Sequence, residues 1–384
     1  MTNTTAIVGV GATPYYFRGE SAPQTLYELI GKAMLAAVDD AGLAIGDVDG
    51  LAFYAGGFEP GILSEMLGIR ELTFASTVAS AGGGSAGILD LAAMAIESGR
   101  AKTVICVGAC QQATTRFGQS YGALAMAPDR IWAAASGLTG PGQAMALMAQ
   151  RHMHLYGTQR EAFGEVVLAS RRAAVRQPHA MRKKPLTMDE YLAAPMLAAP
   201  LCKLDFCLET DGAVAFVVTS GERAQDLRQK PVYIAASAHG GASEWGRSFF
   251  WLNMPDEVFA SSGAQPIARR LYAAAGIGPQ DIDVALLYDH FSPLVIMQLE
   301  DYGFCARGEG GPFVQSGAIG LTGSTPVNTH GGHLSEAYII GMTHLREAVQ
   351  QLRGEAVNQI AGARFALVTG GPAPVPMSGA ILRN

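Results

Sequence analysis

Residues 41–54, AGLAIGDVDGLAFY, and residues 275–288, AGIGPQDIDVALLY, are two versions of one unit at a constant offset of 234 residues. Ala, Gly, Asp, Asp and Tyr match in place, with Leu/Ile and Val/Ile exchanges between them. A repeat at that distance restricts the chain to folds built twice from one plan. Before each copy the apolar residues fall at helical spacing: Leu26, Leu29, Ile30, Ala33 and Ala37 before the first, PIARRLYAAAG before the second. Each copy therefore reads as a helix, a glycine at its C-terminus, a short acidic loop and a strand. A second match follows. GGGSAGILDLAAMAIESGRAKTVICVGA (82–109) is a glycine-rich turn, a helix and a β-branched strand, and GGHLSEAYIIGMTHLREAVQQLRG (331–354) followed by RFALVTGG (364–371) repeats the plan. The fold class is α/β, with two duplicated lobes spanning residues 1–224 and 225–384 and packed as helix and sheet layers.

Between the repeats an insertion, roughly 110–200, contains two amphipathic stretches, GQAMALMAQRHMHLYG and QREAFGEVVLASRRAAVRQ, that predict helices. Such an excursion commonly forms a lid over a substrate. Of 384 residues 49% are hydrophobic and 16% charged, so little polar surface is available to cover the core, which fits an obligate oligomer. The net charge of −6, without a basic tract, argues against a nucleic-acid surface. No apolar run approaches the roughly 20 residues that span a bilayer, and MTNTTAIVGVGATP lacks a basic signal-peptide start, so no membrane insertion and a cytoplasmic location are expected. Cys106, Cys110, Cys202, Cys207 and Cys305 are scattered and odd in number, which suits structural thiols in a reducing compartment.

Ligands of layered α/β proteins are held at strand ends and at the turns that open helices. Three such places stand out. The amides of Gly82, Gly83 and Gly84 could cradle an oxyanion or phosphate, or the turn could simply be tight; no Lys-Ser/Thr follows and no clean GxGxxG is present, so nucleotide binding is poorly supported. His330 and His333 have an HxxH spacing open to a metal pair, yet Gly331-Gly332 between them is a turn and no third ligand sits at a familiar offset, so no metal is expected. Finally, the strand DVALLYDHF ends in Tyr288, Asp289 and His290, either an acid/base group at a sheet edge or a cluster that pins a loop. The basic RKKPL at 182–186 fits a ligand phosphate or a solvated charge run, and HGGASEWGRSFFWLN, with Trp245, Phe249, Phe250 and Trp251, fits a large apolar site, core or a partner interface.

Together, AIVGVGATPY, LCKLDFCLETDGAVAFVVTSGERA (201–224), YDHFSPLVIMQLEDYGF (288–304) and NTHGGHLSEAYIIG (328–341) resemble the thiolase superfamily, in its sterol-carrier-type thiolase-like branch. The resemblance covers nearly the whole chain and implies a thiolase fold in a layered α-β-α-β-α arrangement with an inserted loop domain. It also shows departures. Gly82 stands where that family carries its nucleophilic Cys, Tyr338 aligns with the activating histidine, Tyr288 with the asparagine of NEAF, and about Val368 with a second Cys. Decay would leave small inert residues, whereas two catalytic positions carry tyrosines. In this the chain is similar to the thiolase-fold aldolases that shorten steroid side chains.

That likeness implies retro-aldol cleavage of a β-hydroxyacyl-CoA to a ketone or aldehyde and acetyl- or propionyl-CoA. Tyr288 and Tyr338 would be the proton-transfer pair, Asp289 and His290 would orient a tyrosine, and the amides of Gly82 and Gly370 would bind a substrate oxygen. His330 departs from the family's small residue and is expected to shape the acyl pocket. Coenzyme A enters as part of the substrate and no other cofactor is implied. The resemblance further implies a homodimer and a separate OB-fold, zinc-ribbon partner completing a heterotetramer. Competing readings are a thiolase or acyltransferase with atypical residues, and a non-catalytic acyl-CoA or lipid-binding subunit.

Overall fold

The structure is a computed structural model and describes residues 4–54, 58–78, 82–112, 131–241, 256–371 and 376–384. Trp245, Phe249, Phe250 and Trp251 lie outside the described residues. In chain order the principal strands are β1 (Thr5–Ala12), β2 (Gly50–Tyr54), β3 (Phe74–Val78), β4 (Thr103–Cys110), β5 (Thr210–Ser220), β6 (Val232–Gly240), β7 (Val284–Leu286), β8 (Phe365–Gly370) and β9 (Met377–Arg383). The helices used below are α1 (Leu26–Ala41), α2 (Pro60–Leu67), α3 (Gly87–Glu97), α4 (Pro141–Tyr156), α5 (Arg160–Ala174), α6 (Gln265–Ala275), α7 (Ser292–Asp301) and α8 (Met342–Arg353).

Both repeat units fold as their residues dictate. Helix α1 starts at a capping box, in which the Thr25 side chain accepts from Glu28 N and the Glu28 carboxylate accepts from Thr25 N. It ends at Gly42, whose φ of 71° is left-handed, and the equivalent Gly276 closes α6 at φ 66°. Strand order repeats as well. One half of the sheet runs β1-β5-β4-β2-β3 and the other β6-β9-β8-β7, with β4–β2 and β8–β7 parallel and the other corresponding ladders antiparallel. Among the described residues the second half has no full counterpart of β3; at that place a single bridge joins Ala285 to Val327.

Three cores lie between the layers. Leu29, Ile30 and Met34 of α1 cover one face of the first half-sheet through Leu51, Phe53, Ile105 and Val107. Helices α3 and α8 fill the middle, where Ile88, Leu89, Leu345 and Val349 meet Tyr54, Val104, Phe216, Leu286, Tyr288 and Val368. Helices α5, α6 and α7 cover the far face against Ala285, Leu287, Leu367 and Ile381. This is the α-β-α-β-α layering, with one addition: Ala6–Tyr233 and Ile7–Val232 pair at one corner, so these nine strands, with the short strand Tyr16–Phe17 beside β5, form one ten-stranded sheet folded over the central helices, apart from a small two-stranded sheet of Met196–Ala198 and Leu201–Cys202. The period of two along residues 284–288 sends Val284, Leu286 and Tyr288 to the middle layer and Ala285 and Leu287 outward. In the insertion, α4 and α5 occupy the two stretches read as helices. No helix among the described residues is long and apolar enough to cross a membrane.

Candidate active site

Tyr288 and Tyr338 reach one point from different elements, and their hydroxyl oxygens lie 3.0 Å apart, both side chains buried. Tyr288 continues the line of β7 and is locked by a triangle: its N–H donates to Thr369 Oγ1 (2.9 Å), that hydroxyl donates to Gln298 Oε1 (2.6 Å), and Gln298 Nε2 donates to the Tyr288 carbonyl (2.9 Å). Tyr338 is held by Thr210, which accepts from its N–H (2.8 Å) and donates to its carbonyl (2.9 Å). Each phenol is held well above its ordinary pKa, first by burial; Tyr338 and Tyr54 add to the effect at Tyr288, and Cys207 and Cys110 at Tyr338. At neutral pH the pair is two neutral hydroxyls in contact.

Gly82 makes room for this pair. A Cβ there would stand 2.9 Å from Tyr288 Oη and 3.0 Å from its Cε1 and Cζ, so a cysteine and this tyrosine cannot share the site in this arrangement. Gly370 arrives at the same corner, since its Cβ would meet Ser378 Oγ at 2.4 Å, Ser85 Oγ at 2.6 Å and the Gly83 carbonyl at 3.1 Å. On the other side of the Tyr288 ring, Gly341 has a φ of 89°, and a Cβ would meet Ser85 Oγ at 2.6 Å and Tyr288 Cε2 at 2.9 Å.

Asp289 acts on a loop and not on a phenol. Its carboxylate accepts from His333 N (2.8 Å) and Leu334 N (3.4 Å), pinning the π-helical turn Gly332–Glu336 that leads to Tyr338. Gly332 is obligatory beneath it, with φ 58° and a Cβ position only 2.1 Å from Asp289 Oδ2. His290 packs its ring edge-on against Tyr288 at 5.1 Å, its Nδ1 buried without a hydrogen-bond partner; burial pushes its pKa down to about 3, so it is neutral. His330, expected to shape an acyl pocket, is not among the residues lining the cavity beside Tyr338. The turn at Gly331 and Gly332 directs it inward, where it packs on His344 at 4.8 Å with Nε2 3.7 Å from Glu336 Oε2, 1% exposed.

Asp289, His333 and His344 are close enough to ring a cation, but Nε2 of each histidine is engaged by the backbone, while His333 Nδ1 has no hydrogen-bond partner among the described residues. His333 Nε2 accepts from Gly341 N (3.1 Å), which places its proton on Nδ1, 3.4 Å from Asp289 Oδ1. His344 Nε2 faces the Leu287 carbonyl at 2.9 Å and Asp289 Oδ1 at 3.1 Å, so it donates. Metal binding would strand the Gly341 amide and break the His344 contact to the Leu287 carbonyl, which also accepts from Asn328 Nδ2 (2.8 Å), and the set serves better as a hydrogen-bonded anchor. Sequence reasoning passed over His344. Its only signal was a histidine on the buried face of a helix beside Met342 and Leu345.

Tyr338 also lines a cavity of about 1050 Å³ whose other walls include Phe206, Phe291, Leu334 and Leu197. Six cations line it, Arg18, Arg171, Arg182, Lys183, Lys184 and Lys203, against one carboxylate, Glu209, which is paired with Arg18. The RKK run thus lines this cavity while staying solvent-exposed.

Fold and site together define a thiolase-type scaffold in which Gly82 leaves the space that the Tyr288 ring fills. Residues 250–380 match the family model described as thiolase C-terminal domain-like. Over 98% of both chains the protein is 40% identical to the 17-hydroxy-3-oxo-4-pregnene-20-carboxyl-CoA lyase of Mycobacterium tuberculosis. It is 39% identical to the steroid side-chain-cleaving aldolase of Thermomonospora curvata, over 98% of this chain and 97% of that one. A solved structure titled "Ltp2-ChsH2(DUF35) aldolase" superposes with a TM-score of 0.91 at 37% identity, covering 99% of this chain and 98% of that chain. The chain belongs to the thiolase superfamily, in the thiolase-like branch that contains these aldolases.

Proposed function

We propose that the protein is a carbon–carbon lyase that cleaves a β-hydroxyacyl-CoA of the steroid side-chain kind by a retro-aldol reaction, releasing a ketone or aldehyde and acetyl- or propionyl-CoA. The observation that carries this is the hydrogen-bonded Tyr288–Tyr338 pair packed against Gly82, a position that offers no side-chain nucleophile. Retro-aldol cleavage needs no nucleophile. The β-hydroxyl loses its proton, the Cα–Cβ bond breaks, its electron pair passes to an enolate on the thioester, and Cα takes up a proton. Two neutral phenols in contact can perform this as a relay: one oxygen accepts the hydroxyl proton while its own passes through the partner to Cα, so no isolated phenolate forms at any step. The amides of Gly82 and Gly370 are the proposed donors to the enolate oxygen, His290 is a neutral ring that sets the Tyr288 edge, and Asp289 sets the Tyr338 loop. The cationic wall formed by Arg182–Lys184 suits the phosphates of coenzyme A, with the pantetheine arm running inward to Tyr338.

The homodimer is proposed through β3, which ends the sheet path with one edge unpaired among the described residues. An OB-fold, zinc-ribbon partner completing a heterotetramer and a cytoplasmic location belong to the same proposal; the two-component Ltp2-ChsH2(DUF35) aldolase, similar in fold, supports the partner. The test is product analysis with a tertiary β-hydroxyacyl-CoA, with and without such a partner, in the absence and then the presence of free CoA. Ketone plus a shortened acyl-CoA without free CoA is the expected result. Cleavage that requires free CoA would make the protein an acyltransferase, and binding without cleavage a carrier.

A further inference from the structure

Arg171 joins two parts of the cavity that the mechanism treats separately. It lies near the end of α5, is 7% exposed, and donates from Nε to Ser335 Oγ (3.1 Å) and from Nη1 to the Lys184 carbonyl (3.0 Å). Ser335 belongs to the turn that delivers Tyr338, and Lys184 closes the basic run on the cavity wall. The same two segments are laced by backbone bonds, Met181 N to the Glu336 carbonyl (2.9 Å) and Arg182 N to the Ser335 carbonyl (3.0 Å). The C-terminal part of α5 adds to the clamp: Ser170 Oγ donates to the Gly331 carbonyl, and a Cβ on Gly331 would meet Ala174 Cβ at 2.7 Å. Displacement of the basic segment therefore reaches the Tyr338 turn through rigid, hydrogen-bonded contacts with little slack.

We infer that Arg171 is a positioning residue, a strut through which phosphate bound at Arg182–Lys184 sets the Tyr338 turn, so that the nucleotide end of the substrate accelerates cleavage at the acyl end. This rests on the lyase reading above for its kinetic consequence and on the hydrogen bonds alone for its mechanical one. Binding energy from a remote, unreacting part of a substrate appears in kcat only if something connects the two ends. Here the connection is a guanidinium fork, whose fixed geometry reaches both acceptors as a lysine ammonium would not.

The experiment compares a β-hydroxyacyl-CoA with the same acyl group on pantetheine, which lacks the phosphorylated nucleotide. The wild-type protein should show kcat lower on the pantetheine thioester by a coupling factor of ordinary size, roughly 5–150-fold, with part of the loss restored by adenosine 3′,5′-bisphosphate added separately. In Arg171→Lys, and in Ser335→Ala, which removes only the inner contact and tests the idea should the first variant fold poorly, the ratio should fall to about 1 and the added nucleotide should restore nothing. Amide hydrogen exchange over residues 331–341 gives a reading that needs no turnover: the bisphosphate should protect this segment in the wild type and not in either variant. Equal wild-type kcat on both thioesters, with only KM different, overturns the strut, as does a preserved ratio or preserved protection in both variants. If neither thioester is cleaved while the exchange result holds, the lyase reading fails and the mechanical coupling stands.

Discussion

Replacing Gly82 by alanine is the sharpest perturbation of the site, because one methyl group tests whether the glycine exists for Tyr288. The added carbon would sit 2.9 Å from the Tyr288 hydroxyl oxygen and 3.0 Å from two ring carbons, where ordinary contact begins near 3.4 Å. The ring must yield by about half an ångström, and it cannot yield freely: the backbone of Tyr288 is tied to Thr369 and Gln298, and Gly341 closes the opposite ring edge. Overpacking of this kind costs about 1–3 kcal/mol. With an unfolding entropy of the usual size per residue, a chain of this length should lose roughly 1–4 °C in melting temperature. Activity should fall further than stability, since displacing one phenol stretches the 3.0 Å hydroxyl contact on which the relay depends. A misplacement approaching 1 Å costs about 10²-fold in rate. Cleavage by Gly82→Ala, followed as ketone release at saturating substrate, should therefore drop about 10–100-fold, and Gly82→Cys should show no CoA-dependent acyl transfer. The stability cost should vanish in a Tyr288→Ala background, where the ring is gone. Wild-type turnover and melting temperature in Gly82→Ala would refute the steric argument outright, and a cost that persists without the ring would show that it arises elsewhere.

Tyr288→Phe and Tyr338→Phe keep both rings and delete one hydroxyl each; each should lower kcat by about 10²–10⁴-fold, and the double variant should lose little more than either alone because the two act as a unit. The buried carboxyl of Glu336 predicts a stability that falls as pH rises. Burial, only partly offset by Arg346 and reinforced by Glu347 and Asp289, raises its pKa to about 8, so the folded state binds a proton that the unfolded state has lost above about pH 4.5. Its contribution is thus fully present below that value and is lost as pH rises through about 8. Glu336→Gln should accordingly raise the melting temperature more at about pH 8.5 than at about pH 5.5, with an equal gain at both contradicting the assignment.

The duplication, the α/β class, the helices and their glycine C-caps, and the strand leading to Tyr288, which ends two residues earlier at Leu286, were legible in the chain, because each is written in local periodicity or in a glycine at a fixed offset. Alternation along residues 284–288 already sends Tyr288 to a definite face, and the resemblance of 328–341 to a family motif marks Tyr338. What local pattern cannot carry is complementarity between distant residues. That Gly82 is empty because Tyr288 fills its side-chain space, that Asp289 holds the backbone of His333 and Leu334 and leaves the phenols alone, and that His330 turns inward behind His344 are consequences of how two lobes close on one another. The basic run at 182–184 looks the same in sequence whether or not it borders a cavity, and only the path of the insertion over Ser335 and Glu336 brings it to one. The sequence by itself determined the elements and the identity of the two phenols; tertiary packing determined that they meet, and that they meet uncharged, because burial on all sides is a property of the assembled layers and of no single segment.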